Sequence, residues 1–403
     1  MTDVSGAQIS FPMVRRCPLD PPEEFQRARE SGVIEQVTIW NGTKAWLVTR
    51  YDDVVQVLTD SRFSADPSRP NYPSPTESRA TLLLNEPPAL GQMHPPEHTK
   101  IRRIFGPMFA VRRLELLRPQ VITLVDDLIV GLKAVGPPAD LYGDFARPVT
   151  TQVIAYLLGI PQEDNRLFSE CALARAFHTR GDALAAGEKL GNYFDTLLSR
   201  REKELGDGQD VISLLVKNQI RPGHLTHDQA IVLLRNLLVN GQNTTASNIA
   251  LGTLALLRAP AQFAAIQADP ERIPAAIEEI LRYATTAHFQ SPRTATEDVE
   301  LRGQIIRKGE GVIASLPSAN RDPRIFPNPD AFDITRDARR HLAFASGIHS
   351  CLGQPLARLE LEVVFRALAS QLPSLELAEP FESITFTGNE SQTYGVHRLP
   401  VKW

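Results

Sequence analysis

Apolar residues recur three and four positions apart over residues 114–135, 152–158, 193–205, 230–257, 275–283 and 355–372. That spacing builds one apolar face of a helix, so each stretch is predicted to be helical. Strand-like patterning is confined to 36–40 and 45–49, joined through Asn41-Gly42, and to 299–306 and 311–316. The expected architecture is mainly α with a small β-sheet region beside the helical body. Residues 66–96 are interrupted by Pro67, Pro70, Pro73, Pro75, Pro87, Pro88, Pro95 and Pro96 and show little periodicity. A long surface loop is expected there, the kind of segment that serves as a lid or binding loop. The longest apolar helix opens with Thr226-His227-Asp228-Gln229, a capping box, and then runs through Asn240 and Gly241. A mid-helix glycine costs roughly 1 kcal/mol. Packing must offset that cost, or the helix must face a cavity at this point.

Nothing in the 403 residues reads as a linker. A single domain over 1–403 is expected, with a β-rich part at about 33–65 and 297–403 and a helical part at about 97–290. The hydrophobic share of 42%, with 24 glycines, supports a large core. A formal net charge of -4 provides no basic field for nucleic acid and points toward a small-molecule substrate. The opening Met1-Thr2-Asp3-Val4-Ser5-Gly6 lacks the features of a signal peptide, and no run of about 18 apolar residues occurs. No membrane association and a cytoplasmic location are therefore expected. Cys17, Cys171 and Cys351 lie far apart, which argues against a disulfide framework or a paired zinc motif.

The strongest chemical signal is Phe344-Ala345-Ser346-Gly347-Ile348-His349-Ser350-Cys351-Leu352-Gly353, followed at once by a helical run. Helix-start amide groups and the positive end of the dipole favour a thiolate at Cys351, which makes it a metal ligand or a nucleophile. His349, two residues away, is badly placed to be its base, and no Ser/Cys-His-Asp arrangement is evident elsewhere. The Phe-x-x-Gly-x-His-x-Cys-x-Gly pattern resembles the haem-binding loop of the cytochrome P-450 family. Further matches follow in order: Pro95-Pro96-Glu97-His98 through Arg103, Glu279-Ile280-Leu281-Arg282, Ala319-Asn320-Arg321-Asp322, and Phe326 to Phe332. The resemblance is strongest to soluble actinobacterial natural-product oxidases. Segments 46–49 and 311–322 also resemble the fungal nitric oxide reductases of that family.

The resemblance implies a single haem-thiolate fold holding haem b (iron protoporphyrin IX), with Cys351 as the axial iron ligand. It implies that His98, Arg102, Arg293 and His349 hold the two propionates, whose buried charges need pairing. His98 and Arg102, four apart, share one helical face. Glu279 and Arg282 would form a structural lock. Where many relatives complete that lock with an arginine, this chain has Ala331, and Arg336 is expected to substitute. The family's Gly-x-acid-Thr motif corresponds to Asn240-Gly241-Gln242-Asn243-Thr244-Thr245, so Thr244 and Asn243 are the catalytic candidates. Asn243 stands in place of a carboxylic acid and cannot titrate near neutral pH.

By family position, the distal pocket draws on segments 63–93, 173–194, 236–245, 285–293 and 390–396. Candidate lining residues are Asn236, Asn240, Gly241, Phe289, Gln290, Ser291, Gln392 and Thr393, with Tyr394 adding a second aromatic. Together they suggest an amide-bearing substrate. Three reactions are compatible. The first is monooxygenation of a small natural product in secondary metabolism. The second is oxidative C–C or C–N coupling of an aromatic amide such as a tryptophan-containing diketopiperazine, favoured by Asn243. The third is a nitric oxide reductase-like role, weakened because 66–93 carries only Arg69 and Arg79 as cations. No flavin or dinucleotide fingerprint is present, so an external ferredoxin and ferredoxin reductase are expected to deliver electrons. They would dock on a positive surface formed by Arg102, Arg103, Arg112, Arg113 and Arg358.

Overall fold

The structure is a computed structural model that describes residues 9–168, 170–171, 180–204, 208–289, 291–388, 391 and 393–403. In chain order the longer helices are α1 (Glu23–Ser31), α2 (Tyr51–Thr59), α3 (Glu77–Asn85), α4 (Glu97–Phe105), α5 (Arg118–Val135) and α6 (Arg147–Leu158). They continue with α7 (Arg180–Lys203), α8 (His227–Leu257), α9 (Pro260–Ala268), α10 (Ile273–Tyr283) and α11 (Gln354–Gln371). The strands are β1 (Glu35–Thr38), β2 (Lys44–Val48), β3 (Phe63–Ser64), β4 (Ala139–Asp140), β5 (Pro292–Ala295), β6 (Val299–Leu301), β7 (Gln304–Ile306), β8 (Gly311–Ala314), β9 (Glu376–Leu377) and β10 (Pro400–Lys402).

Helix α8 is the spine, packed by α6, α7, α10 and α11. The expected capping box is formed: Thr226 Oγ1 accepts from the Gln229 amide, and Gln229 Oε1 accepts from the Thr226 amide at 3.0 Å. From Thr245 to Leu256 every residue of α8 is buried, as expected of a helix enclosed on all sides. At Gly252 a Cβ would lie 2.7 Å from both Ile280 Cγ2 and Phe365 Cζ. Three helices meet there at a separation that only glycine permits.

The main sheet runs β1-β2-β8-β5-β3. β2 pairs in parallel with β8, Trp46 opposite Val312, and the remaining pairs are antiparallel. Strand β4 pairs with β10, and β10 with β9, in a separate three-stranded sheet. The division by chain position is less clean than expected, since β4 falls inside 97–290 and α11 inside 297–403.

Three expectations are corrected by local chemistry. The stretch 299–306 is a hairpin rather than one strand, turning at Arg302 (φ 51) and Gly303 (φ 74). Asp53 holds the Arg302 side chain at 2.8 Å. The stretch 311–316 ends as a strand at Ala314, because Ser315 Oγ accepts from the Ser318 amide and caps a short helix over Leu316–Ala319. The proline-rich stretch 66–96 contains α3, opened by Thr76 Oγ1 accepting the Arg79 amide at 3.2 Å. Among the described residues no single helix is long and apolar enough to cross a membrane.

Candidate active site

The loop before α11 is shaped by its backbone. The Cys351 amide donates to the Phe344 carbonyl at 2.9 Å and the Ser350 amide to the Gly347 carbonyl at 3.0 Å. Gly347 has φ 72, and a Cβ there would sit 2.5 Å from the Leu58 carbonyl oxygen, so glycine is required twice over. The Cys351 sulfur receives the amides of Gly353 and Gln354 at the start of α11. Burial raises its thiol pKa, opposed by those amides and by the nearby Arg102 and Arg358 guanidinium groups. Yet the residue is solvent-accessible, so it is packed on several sides and open on another. Cys171 is buried in the main core, and Cys17 lies on the N-terminal segment.

The four residues expected to hold propionates converge beside this loop. Arg102 Nη1 donates to the Ser350 carbonyl at 2.7 Å. The His98 and His349 rings lie 5.0 Å apart, edge to face. His98 Nε2 and both ring nitrogens of His349 are buried with no hydrogen-bond partner among the described residues. Arg293, 4% exposed on β5, donates to its neighbour Pro292's carbonyl at 2.8 Å. Burial, then the neighbouring Arg293, His98, His94 and Arg102, push His349 down to about 3. Among the described residues, Arg102, Arg293, His98 and His349 form no ion pair with a carboxylate, and of this cluster Asp66 acts only on His94. Buried imidazole nitrogens beside two guanidinium groups, Arg102 and Arg293, that hold only backbone carbonyls fit the dianionic edge of a haem beside the Cys351 thiolate.

Behind the loop, Glu279 and Arg282 are fully buried and paired at 2.7 and 2.8 Å. Arg282 also donates to the carbonyls of Asn320, Pro329 and Ala331. Arg336 reaches Glu279 at 3.4 Å and donates to the Pro327, Asn328 and Ala331 carbonyls, so it takes the third position, as expected. Because three backbone carbonyls share each guanidinium, the lock fixes the loop leading to Cys351.

On the opposite side a cleft runs between α3 and α8. Asn236, Val239, Asn240, Asn243 and Thr244 line it from α8, Arg79 and Leu82 from α3, and Thr393 from the C-terminal segment. Thr244 Oγ1 donates to the Asn240 carbonyl at 2.8 Å, and Asn240 Nδ2 to the Asn236 carbonyl at 2.8 Å. Asn236 Nδ2 is buried without a partner among the described residues. Three expected lining residues are placed elsewhere. Gly241 faces α6, where a Cβ would meet Ile154 Cδ1 at 3.1 Å, so its smallness serves helix packing. Phe289 packs on Phe11 at 5.5 Å within a side core, and Ser291 is tied to β8 through its carbonyl at 3.2 Å. Gln290, Gln392 and residues 172–179 lie outside the described residues.

Sequence reasoning missed the charged groups at the cleft. Glu86, after α3, lines it and pairs with Arg235 of α8 at 3.6 Å. It also missed His94, whose ring is 5.7 Å from that of His349. The proposed positive docking surface is reduced, because Arg358 is bound to Glu278 at 2.7 Å and covers the Phe344 ring. Arg102 is committed to Ser350 and Arg113 to the Gln209 carbonyl, which leaves Arg103 and Arg112 exposed.

A family model for cytochrome P450 matches residues 167–371. Over 389 residues the chain is 42% identical to Cytochrome P450-SU2 of Streptomyces griseolus, covering 96% of this chain and 94% of that one. The chain belongs to the cytochrome P450 family. A 20-oxo-5-O-mycaminosyltylactone 23-monooxygenase of Streptomyces fradiae is 38% identical, covering 98% of this P450 and 92% of the relative. The crystal structure of cytochrome P450 MoxA from Nonomuraea recticatena superposes with a TM-score of 0.92 at 40% identity, covering 98% and 99% of the two chains. This P450 is accordingly a haem-dependent oxidoreductase.

Proposed function

We propose that this P450 inserts one oxygen atom of dioxygen into a small natural product that presents amide or hydroxyl groups, and that residues 1–403 act as one catalytic domain. The observation that carries the reading is Thr244, a hydroxyl on the wall of the cleft, one helical turn from Asn240 and Asn236. Bound haem would supply the one-electron and dioxygen chemistry, with electron density donated by the Cys351 thiolate. Cys351 would ligate the iron; His98, Arg102, Arg293 and His349 would hold the propionates. The chain's own part on the distal side is proton handling and orientation. The Thr244 hydroxyl holds its proton on the Asn240 carbonyl and can be turned into the cleft at the cost of one neutral hydrogen bond, about 0.5–1.5 kcal/mol. Asn236 lines the cleft, and its Nδ2, buried without a partner among the described residues, would have to turn to donate to a substrate carbonyl. The substrate would be held by such neutral groups, with Leu82 and Val239 as apolar wall. Electrons would come from a ferredoxin and its reductase in the cytoplasm.

A second reading, oxidative coupling without oxygen insertion, is favoured by one observation: Asn243, 4% exposed on the cleft wall, occupies the place of the family's acid. An amide cannot release a proton at neutral pH, so proton supply for oxygen insertion would depend on water. Turnover under labelled dioxygen separates the two. Label in a mono-hydroxylated main product is expected; a main product joined by a new C–C or C–N bond and free of label would overturn monooxygenation.

A further inference from the structure

We propose that His94, which ends the proline-rich stretch, is a further contact to the haem edge: a neutral imidazole that donates from Nδ1 to a propionate. The inference rests on the haem assignment and adds a residue to it. Ser64 Oγ accepts from Arg69 Nε at 2.8 Å and from the Asp66 amide at 3.2 Å. Its own hydrogen therefore goes to His94 Nε2, 3.0 Å away. The Ala65 amide points at the same nitrogen from 3.1 Å. With two donors converging on it, Nε2 carries no hydrogen, and the ring proton of the neutral imidazole sits on Nδ1. That nitrogen has no hydrogen-bond partner among the described residues, while the ring stands edge to face with His349 at 5.7 Å. The backbone adds to the fit: the His98 amide donates to the His94 carbonyl at 2.9 Å, so His94 and His98 are held together at the start of α4.

The far end of the same stretch is clamped to the main sheet. Asn71 Nδ2 donates to the Gly309 carbonyl at 3.0 Å and Trp40 Nε1 to the Ser74 carbonyl at 3.2 Å. Gly311 lacks the Cβ that would otherwise lie 2.5 Å from the Asn71 carbonyl oxygen. The segment bearing α3, one wall of the substrate cleft, is thus fixed at one end to the sheet and at the other to the haem edge. His94 acts as a positioning residue that ties cofactor and cleft wall together.

The test uses the holoenzyme and follows haem transfer to apomyoglobin together with the propionate-bending band in the resonance Raman spectrum. In His94→Leu, haem loss should accelerate about ten- to a hundredfold, the range for one hydrogen bond to a charged group, and the band should shift. His94→Gln, which keeps an acceptor for Ala65 and a donor for the propionate, should restore most of both. Wild-type haem loss in His94→Leu would overturn the proposal. So would faster loss in both variants with an unmoved propionate band, which would assign His94 to the fold alone. The thiolate signature of the reduced carbon monoxide complex is read on the same samples, so a failure of the haem-thiolate assignment is seen separately.

Discussion

Cys351 differs from the other two cysteines in surroundings, and the difference is testable. It receives two amides from the start of α11 while remaining open on one side, whereas Cys17 receives the Leu19 and Asp20 amides away from any helix start and Cys171 is buried in the main core. Cys351→Ser is expected to lose the red-shifted Soret band of the reduced carbon monoxide complex, whereas Cys17→Ser and Cys171→Ser keep it. Loss of the band in either of the latter variants alone would contradict the assignment. Arg293 is buried on β5 and, among the described residues, has only its neighbour's carbonyl and the approach of Tyr72 to balance it. Arg293→Ala should accelerate haem transfer by about a hundredfold, the low end of the cost of unpairing a buried charge. Unchanged transfer would exclude propionate contact. At this scale the haem loop was legible because its residues are contiguous. His94 and Glu86 were not, since their meaning depends on neighbours distant in sequence.

Between elements, α10 and α11 are joined through Glu278, which accepts from Arg358 at 2.7 Å and from His341 at 3.1 Å. Burial alone would raise its pKa, but those two hydrogen bonds hold it at about 2, below the ordinary 4.5. A depressed carboxylate contributes stability that is fully present above its unfolded pKa and is lost as pH falls through the folded value. The urea midpoint of the wild type should therefore drop more steeply between about pH 5 and pH 2 than that of Glu278→Gln. The difference should be on the order of 1–2 kcal/mol, discounted for the part of the carboxylate that meets solvent. Parallel pH profiles would show that the pair contributes nothing. Helix periodicity located α5, α6, α8, α10 and α11 because each has an apolar face, but it missed α3. That helix buries only Leu82 and lies against a cleft, so its sequence lacks the 3.6-residue signal.

For the whole molecule, exposed Arg103 and Arg112 lie on the α4 side of the fold that also carries the Cys351 loop contact, Arg102 to Ser350. If an acidic ferredoxin docks there, turnover supported by a ferredoxin and its reductase should fall as ionic strength rises, because the attraction between exposed charges is screened. Replacing both arginines by Glu should reduce the rate about tenfold or more at low salt and flatten the salt dependence. A salt-independent rate, unchanged in that variant, would rule out this surface.

The sequence by itself determined the helical body, the capped spine helix and the thiolate loop, while the Glu279–Arg282 lock was implied only by the family resemblance. Each is written in a short span, where periodicity, caps and motif spacing act through local geometry. Only the tertiary structure decided which side chains share the cleft and which are used in packing. Gly241 and Gly252 make the point: both interrupt α8, and the sequence alone cannot say whether a glycine opens a pocket or admits a neighbour. The fold put Ile154 against one and Ile280 with Phe365 against the other. Likewise Phe289 and Ser291 had the right chemistry for a pocket, but the fold packed Phe289 on Phe11 in a side core and bonded the Ser291 carbonyl to the Ala314 amide of β8. Distances between residues far apart in the chain are set by packing of the whole, and no local pattern records them.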